Sequence, residues 1–395
     1  TISMQKVHAS VWETKNQWSP EWEAKYSEWV EKEWDDEAFM REGSILKGLA
    51  TDCADATYAM RILFSYLSNL PFRSHVKNQD LGRGYVTNEV STLDYIKNSQ
   101  DRFRKFLIMF FEFADTNTLS QDTYPIEINR KSLTPGSIYV APGDHSYQIK
   151  KLNENGVPTS YSSTTPADVR YLQILESFPL LSPIDFKTFK DGYRKFKQPH
   201  QLDVLESSLP FYSLMQFQIA KKYPDDFMLL GDELSNLLMV VPESKAQKME
   251  RAMINLCYSV QGRAYIISKT EKRKYLMEES CMTPKEYDAE STPSRDKKIM
   301  HFYDYLANIY LDVPAEELQN SSYYNLFLGI FTDEPTNVKA VKDWCNFQRF
   351  DSTLEPLSLR SVFKSIQSGS FISDPNVNRA QRWGMEPYNP VCPRY

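Results

Sequence analysis

The segment at residues 52–67 is the feature that most constrains the fold, because it carries the clearest helix signals. Asp52 has the character of an N-cap residue, and Asp55 at the third helical position completes an acidic version of the capping box. Apolar side chains then recur at steps of three and four, so one face of this helix is predicted to be buried. These side chains are Tyr58, Ile62, Leu63, Tyr66 and Leu67.

Strand signals dominate residues 134–164. Turn-forming triplets at 134–136 and 142–144 flank a β-branched and aromatic run at 137–140. Residues 145–150 alternate like a strand, and the loop at 153–156 returns the chain as a partner strand at 157–164. Further helices are predicted from 19 onward and near 101–113. The predicted fold class is therefore α+β, with N-terminal helices packed on an antiparallel sheet.

The second half of the chain has a different character. Helices are predicted near residues 202–223, 244–258, 294–310 and 357–367. Prolines at 179, 183, 199 and 210 mark a predicted linking region. At ~150 residues per domain, 395 residues predict two or three domains. We expect one domain at residues 1–165 and a mostly helical accessory region at 166–395.

Composition excludes several functional classes. The net charge is −6 with acids and bases well mixed, whereas a nucleic-acid surface needs a basic face. Only 13 glycines are present, which argues against a nucleotide-binding α/β sheet. No apolar run approaches the ~20 residues that span a bilayer. The chain begins Thr1-Ile2-Ser3, so we expect a processed or trimmed start, compatible with a removed signal peptide.

The five cysteines are Cys53, Cys257, Cys281, Cys345 and Cys392. None forms a C-x-x-C pair, so neither a zinc site nor any cofactor is expected. One free thiol with up to two disulfides fits this count, and five reduced thiols fit it nearly as well. If the protein is exported, we expect at least one disulfide among the last four, with Cys53 unpaired.

Cys53 is the leading candidate for chemistry because it opens the predicted helix at 52–67. The unsatisfied N–H groups of a helix start favour a thiolate and can hold an oxyanion. Asp52 and Asp55 oppose this, since nearby carboxylates raise the pKa of a thiol. His145 opens a strand after a tight turn and is the best positive partner. We expect its ring nitrogen within ~4 Å of the sulfur, and a thiol pKa below the usual ~8.5.

These motifs resemble the core of papain-like cysteine hydrolases, particularly NlpC-type and CHAP-type cell-wall peptidases and amidases. The resemblance rests on motif order across residues 43–165: Asp52-Cys53 at a helix start, Pro135-Gly136 before a strand, and His145 opening the next strand. It implies cleavage of peptide or amide bonds through a Cys53 thioester, with His145 as the base. The implied substrate is a peptidoglycan-like peptide, in the periplasm or outside the cell.

The family places a third, ring-orienting group on the strand after the histidine, and here no His, Asp or Asn occupies that place. If the hairpin pairs Leu152 with Val157, Thr164 lies opposite His145 and becomes the predicted orienting residue, with Ser163 beside it. Two other functions stay open: a transglutaminase-like acyltransferase, and a non-catalytic binding or scaffold protein on a hydrolase-like fold. The sequence leaves the oligomeric state open.

Overall fold

The computed structural model describes residues 10–77, 84–143, 145–178, 188–223, 227–276, 281–347 and 357–395. It is a mixed helix-and-sheet protein, 46% helical and 11% strand, which confirms the α+β class. The chain divides after Pro242 into two compact units, here called unit 1 and unit 2. No helix of the described part is long and apolar enough to cross a membrane.

Unit 1 combines helices with two antiparallel sheets. Its helices are α1 (Pro20–Glu33), α2 (Cys53–Leu67), α3 (Ser99–Phe111), α4 (Thr116–Gln121), α5 (Met215–Ala220) and α6 (Phe227–Leu238). Its strands are β1 (Arg73–His75), β2 (Tyr85–Thr87), β3 (Thr123–Pro125), β4 (Ile138–Ala141), β5 (His145–Leu152), β6 (Pro158–Ser162), β7 (Gln173–Glu176) and β8 (Gly192–Phe196). The pair β1–β2 stands apart from a six-stranded sheet of order β3-β8-β4-β5-β6-β7.

The sheet explains why unit 1 runs past the predicted boundary at residue 165. Strand β8 pairs with both β3 and β4, so a segment beyond residue 190 lies inside the sheet. Strand β7 extends the other edge by pairing with β6. A domain ending at residue 165 would lose both strands, and the observed division comes after Pro242 instead.

Helix α2 is the centre of unit 1. All its residues from Cys53 to Ser65 are buried, so burial extends well beyond the single face predicted from the sequence. One side of α2 packs against α1 and α3 among aromatic rings, including those of Trp12, Tyr26, Phe64 and Phe103. The other side contacts β5 and β6. A helix enclosed in this way fixes the position of its N-terminus.

The two faces of the large sheet enter different cores. On β4, Ile138 and Val140 join the core around α2, whereas Tyr139 and Ala141 join a second core on the opposite face. That second core includes Phe217 of α5. Because side chains alternate along a strand, this division assigns every residue of β4 and its paired neighbours to one face.

The regular secondary structure described in unit 2 is helical. It contains α7 (Lys245–Leu276), α8 (Pro284–Glu290), α9 (Pro293–Asp312), α10 (Ala315–Asn320), α11 (Tyr324–Phe331), α12 (Pro335–Trp344), α13 (Leu359–Gln367) and α14 (Arg379–Arg382). Two disulfides join Cys257 to Cys345 and Cys281 to Cys392, which confirms the prediction of at least one disulfide among these four cysteines. Cys53 is the free cysteine, also as predicted.

Candidate functional site around Cys53

The N-terminus of α2 has the predicted capping box. The backbone N–H of Asp55 donates to the Asp52 side chain, and the N–H of Asp52 donates to the Asp55 carboxyl group, each at 3.0 Å. Cys53 is therefore the first residue of the helix. Its backbone geometry is what the sequence predicted, and the thiol lies at the positive end of a long helix.

The environment of the thiol differs from the prediction. Cys53 is only 3% exposed. Burial, followed by the charge of Asp52, raises its pKa to about 12. The backbone N–H and hydroxyl of Ser146 and the N–H of Ala54 favour the thiolate, but burial outweighs them. The prediction of a lowered thiol pKa is wrong, because the N-terminus of the helix does not compensate for the loss of solvent around Cys53.

Ser146 belongs to a buried polar network between α2 and β5. Its hydroxyl donates to the carbonyl of Cys53 at 2.9 Å and lies 3.0 Å from the hydroxyl of Thr57. Thr57 donates to the same carbonyl at 2.8 Å. Gln148 bonds Thr57 and accepts from the indole N–H of Trp34 at 2.7 Å. The helix-facing side of β5 therefore presents hydroxyl and amide groups to the thiol region.

His145 lies on the other face of β5. It pairs directly with Ala141, which belongs to the core opposite α2, and directly paired residues share a face. Its ring also contacts Tyr147 of the same core, with ring centroids 4.7 Å apart. Ser146, between these two aromatic residues, points toward α2. This alternation disfavours the predicted contact between His145 and Cys53, which stays a prediction.

The hairpin register differs from the predicted one by one residue at the end next to the turn. Leu152 pairs with Pro158 rather than with Val157. An irregularity between Ile149 and Lys151 then shifts the register, so that Gln148 pairs with Tyr161. Beyond the irregularity the pairing is the one that the sequence predicted, although the predicted starting pair was wrong.

Continuing this register would bring Thr164 opposite His145, but β6 ends at Ser162. Thr164 lies outside the strand and is half-buried. Its neighbour Ser163 is fully buried and donates its hydroxyl to the carbonyl of Thr51 at 2.8 Å. The end of β6 therefore contacts the residues just before α2 through Ser163. The role of Thr164 in orienting His145 stays a prediction.

Asp55 contributes a second buried acid to the site. It is 3% exposed, and burial together with the charge of Asp52 raises its pKa to about 8, despite the opposing charge of Lys77. One of its carboxyl oxygens, Oδ1, has no hydrogen-bond partner within the described part of the chain. At neutral pH both the thiol of Cys53 and the carboxyl of Asp55 therefore keep their protons.

No family model, no curated protein and no solved structure matches this chain. The site must therefore be interpreted from its own chemistry. Among the described residues, no group of three or more His, Cys, Asp or Glu side chains could hold a metal ion.

Sequence reasoning missed Ser146, although the signal was available. The alternation of β5 puts Ser146 and Gln148 on one face and His145 with Tyr147 on the other. Once Cys53 is known to contact this strand, only one of those faces can meet it. What the sequence did not indicate is that the polar face packs against a buried helix, since polar strand faces usually meet solvent.

Proposed function

We propose that unit 1 is a binding or scaffold module on a papain-like, hydrolase-like fold, with Cys53 serving as a buried structural thiol. One observation carries this proposal: Cys53 is buried with its thiol pKa raised to about 12, and the residue of β5 that hydrogen-bonds to it is Ser146. A hydroxyl is a poor base for a thiol, and the raised pKa leaves almost no thiolate near neutral pH.

The papain-like part of the proposal is supported by how three chain segments converge. The start of α2, the start of β5 and the end of β6 meet through the contacts Cys53–Ser146 and Thr51–Ser163. In the family that the motifs resemble, these three places hold the nucleophile, the base and its orienting group. Here the contacts between them are made by hydroxyl groups.

The proposed ligand is a peptide or peptidoglycan-like chain, and the proposed location is the periplasm or the outside of the cell. The two disulfides of unit 2 support the location, because such bonds persist mainly in oxidising compartments.

A cysteine hydrolase is the second candidate, favoured by the position of His145. It is half-buried at the very start of β5, one residue from the contact with the thiol. If its ring turned around the strand end, His145 could take the proton of Cys53, and the resulting thiolate could attack an amide carbonyl. The thioester would pass to water, or to an amine in a transglutaminase-like transfer.

Incubation of the full chain with purified peptidoglycan separates these functions. The binding proposal expects cosedimentation with the polymer by both wild type and Cys53→Ala, with no new fragments in mass spectrometry. Fragments that wild type releases and Cys53→Ala does not would establish the hydrolase instead. Fragments joined to an added amine would indicate the acyltransferase. If the protein neither bound nor cleaved peptidoglycan, the proposed ligand would be rejected.

A further inference from the structure

His75 of β1 is an imidazole oriented by a buried carboxylate. Its Nδ1 lies 2.5 Å from Oδ1 of Asp122. The side chain of Asp122 is 3% exposed, whereas that of His75 is 23% exposed. Because a carboxylate can only accept, Nδ1 carries the proton of the neutral ring and Nε2 keeps its lone pair. The arrangement turns one ring nitrogen inward and leaves the other edge toward the surface.

Asp122 is itself held by several donors. The hydroxyl of Tyr58 donates to Oδ2 at 2.6 Å, and the hydroxyl of Ser74 donates to the same oxygen. The backbone N–H of His75 adds a further bond at 3.1 Å. The carboxylate is therefore fixed from both α2 and β1. A base held by a carboxylate that is itself hydrogen-bonded is the arrangement that hydrolases use to activate a nucleophile.

The outer edge of the His75 ring remains available. Nε2 has no hydrogen-bond partner among the described residues. The ring lies against Tyr85, with centroids 4.9 Å apart. Beyond it, Asp203 accepts from Tyr85 at 2.7 Å and from Arg73 at 3.1 Å. The cation and the anion beside His75 balance each other, so this surface favours an uncharged substrate.

We propose that His75 and Asp122 form a reactive centre, a general-base dyad that hydrolyses small uncharged acyl esters. Nε2 takes a proton from a water molecule while the water oxygen bonds to the acyl carbon. The tetrahedral intermediate then breaks its bond to the leaving alcohol, which receives the proton back from Nε2, and an acid and an alcohol are released. This centre is independent of Cys53 and of the proposed binding function.

A purely structural role for the pair is the competing explanation, since it also ties β1 to the start of β3. The two roles differ in measurable ways. A structural clamp would change stability without contributing to a rate. A general base gives a rate that rises as the imidazole loses its proton and that depends on Nε2.

Hydrolysis of p-nitrophenyl acetate by the full chain tests the proposal. The Cys53→Ala background removes any contribution of that thiol. His75→Gln should lower the protein-catalysed rate at least fivefold, while His301→Gln, which alters an exposed histidine of unit 2, should leave it unchanged. Equal rates in the two variants would overturn the proposal, provided that circular dichroism shows both folded.

A measurement on the unaltered protein covers the case in which His75→Gln fails to fold. Diethyl pyrocarbonate should modify His75 faster than the more exposed His301, and nitrogen NMR should find the proton of His75 on Nδ1. Slower modification of His75, or a proton on Nε2 in the neutral ring, would overturn the proposal.

Tyr58→Phe should lower the esterase rate by a smaller factor than His75→Gln, since it removes one donor to Asp122.

Discussion

The two units use cysteine in opposite ways. Unit 1 has one cysteine, a buried thiol in a hydrogen-bonded interface between helix and sheet. Unit 2 has four, all paired in two disulfides. A lone cysteine at a helix start is therefore not reactive by position alone. Its neighbours and its exposure to solvent decide whether it behaves as a nucleophile or as a small buried side chain.

The largest expected difference between the units is their response to a reductant. Loss of the Cys257–Cys345 bond, which spans 88 residues, should lower the free energy of unfolding of unit 2 by about 2–5 kcal/mol. Unit 1 contains no disulfide to lose. Hydrogen exchange with and without dithiothreitol should therefore show new exposure in unit 2 only. Equal loss of protection in both units would contradict the contrast.

The Cys257→Ser and Cys281→Ser variants sharpen this test because each removes one bond. Both should unfold at lower denaturant concentration than wild type, and neither should respond to dithiothreitol as strongly as wild type does. A variant as stable as wild type would indicate that its bond contributes little.

The next largest effect concerns the pH dependence of unit 1. The pKa of Asp55 is raised by burial to about 8, so the folded state holds this proton more tightly than the unfolded state. The stabilisation is fully present below the unfolded pKa and is lost as pH rises toward 8 and above. Each pKa unit corresponds to about 1.4 kcal/mol, so even half of the shift in the pKa of Asp55 would lower the free energy of unfolding by ~3 kcal/mol.

Asp55→Asn should remove this pH dependence, because asparagine keeps an acceptor for the N–H of Asp52 but has no proton to lose. Denaturant unfolding at pH 5 and pH 9 measures it, with Asp101→Asn at the exposed first turn of α3 as the control. An unchanged pH profile in Asp55→Asn would mean that Asp55 is not the titrating group.

A smaller effect is expected from the polar network beneath Cys53. Gln148→Met would leave the indole N–H of Trp34 buried without an acceptor, which costs about 1–3 kcal/mol. Lys151→Met on the exposed side of the same strand should cost much less. Thermal unfolding of both variants makes the comparison. Equal losses of stability in the two variants would show that the buried polar network contributes no specific stabilisation.

The smallest effect is expected at His145. Because its ring lies on the face away from the thiol, His145→Ala should change the rate of Cys53 alkylation less than twofold between pH 6 and pH 10. Mass spectrometry of iodoacetamide-treated protein gives this rate residue by residue. A large fall in alkylation at neutral pH would restore His145 as the partner of Cys53 and favour the hydrolase.

Local signals in the sequence predicted the local structure well. The start of α2 follows from Asp52 and Asp55, which bond each other across a single turn. The position of His145 at the start of β5 was also predicted correctly. The predictions that differ from the structure concern features that depend on longer-range packing. No local sequence signal predicts the irregularity near Lys150, which shifts the pairing of β5 with β6 by one residue.

The predicted domain boundary at residue 165 likewise depends on contacts between distant segments, which local patterns do not reveal. Strand β8 is five residues long and pairs with strands that precede it by more than 50 positions, so its own pattern does not reveal its place. The helix predicted near 202–223 is reduced to Met215–Ala220, because much of this stretch instead forms turns and a short 3₁₀ helix. The two disulfide pairings likewise depend on how the helices of unit 2 meet.

The order of those pairings has a further consequence for the covalent integrity of unit 2. Among the four cysteines of unit 2, the first joins the third and the second joins the fourth, so the two loops interleave. A protease that cuts once anywhere between Cys257 and Cys392 therefore leaves both pieces linked by at least one sulfur bridge. Under non-reducing electrophoresis such nicked protein should migrate as one species, and it should separate only after reduction.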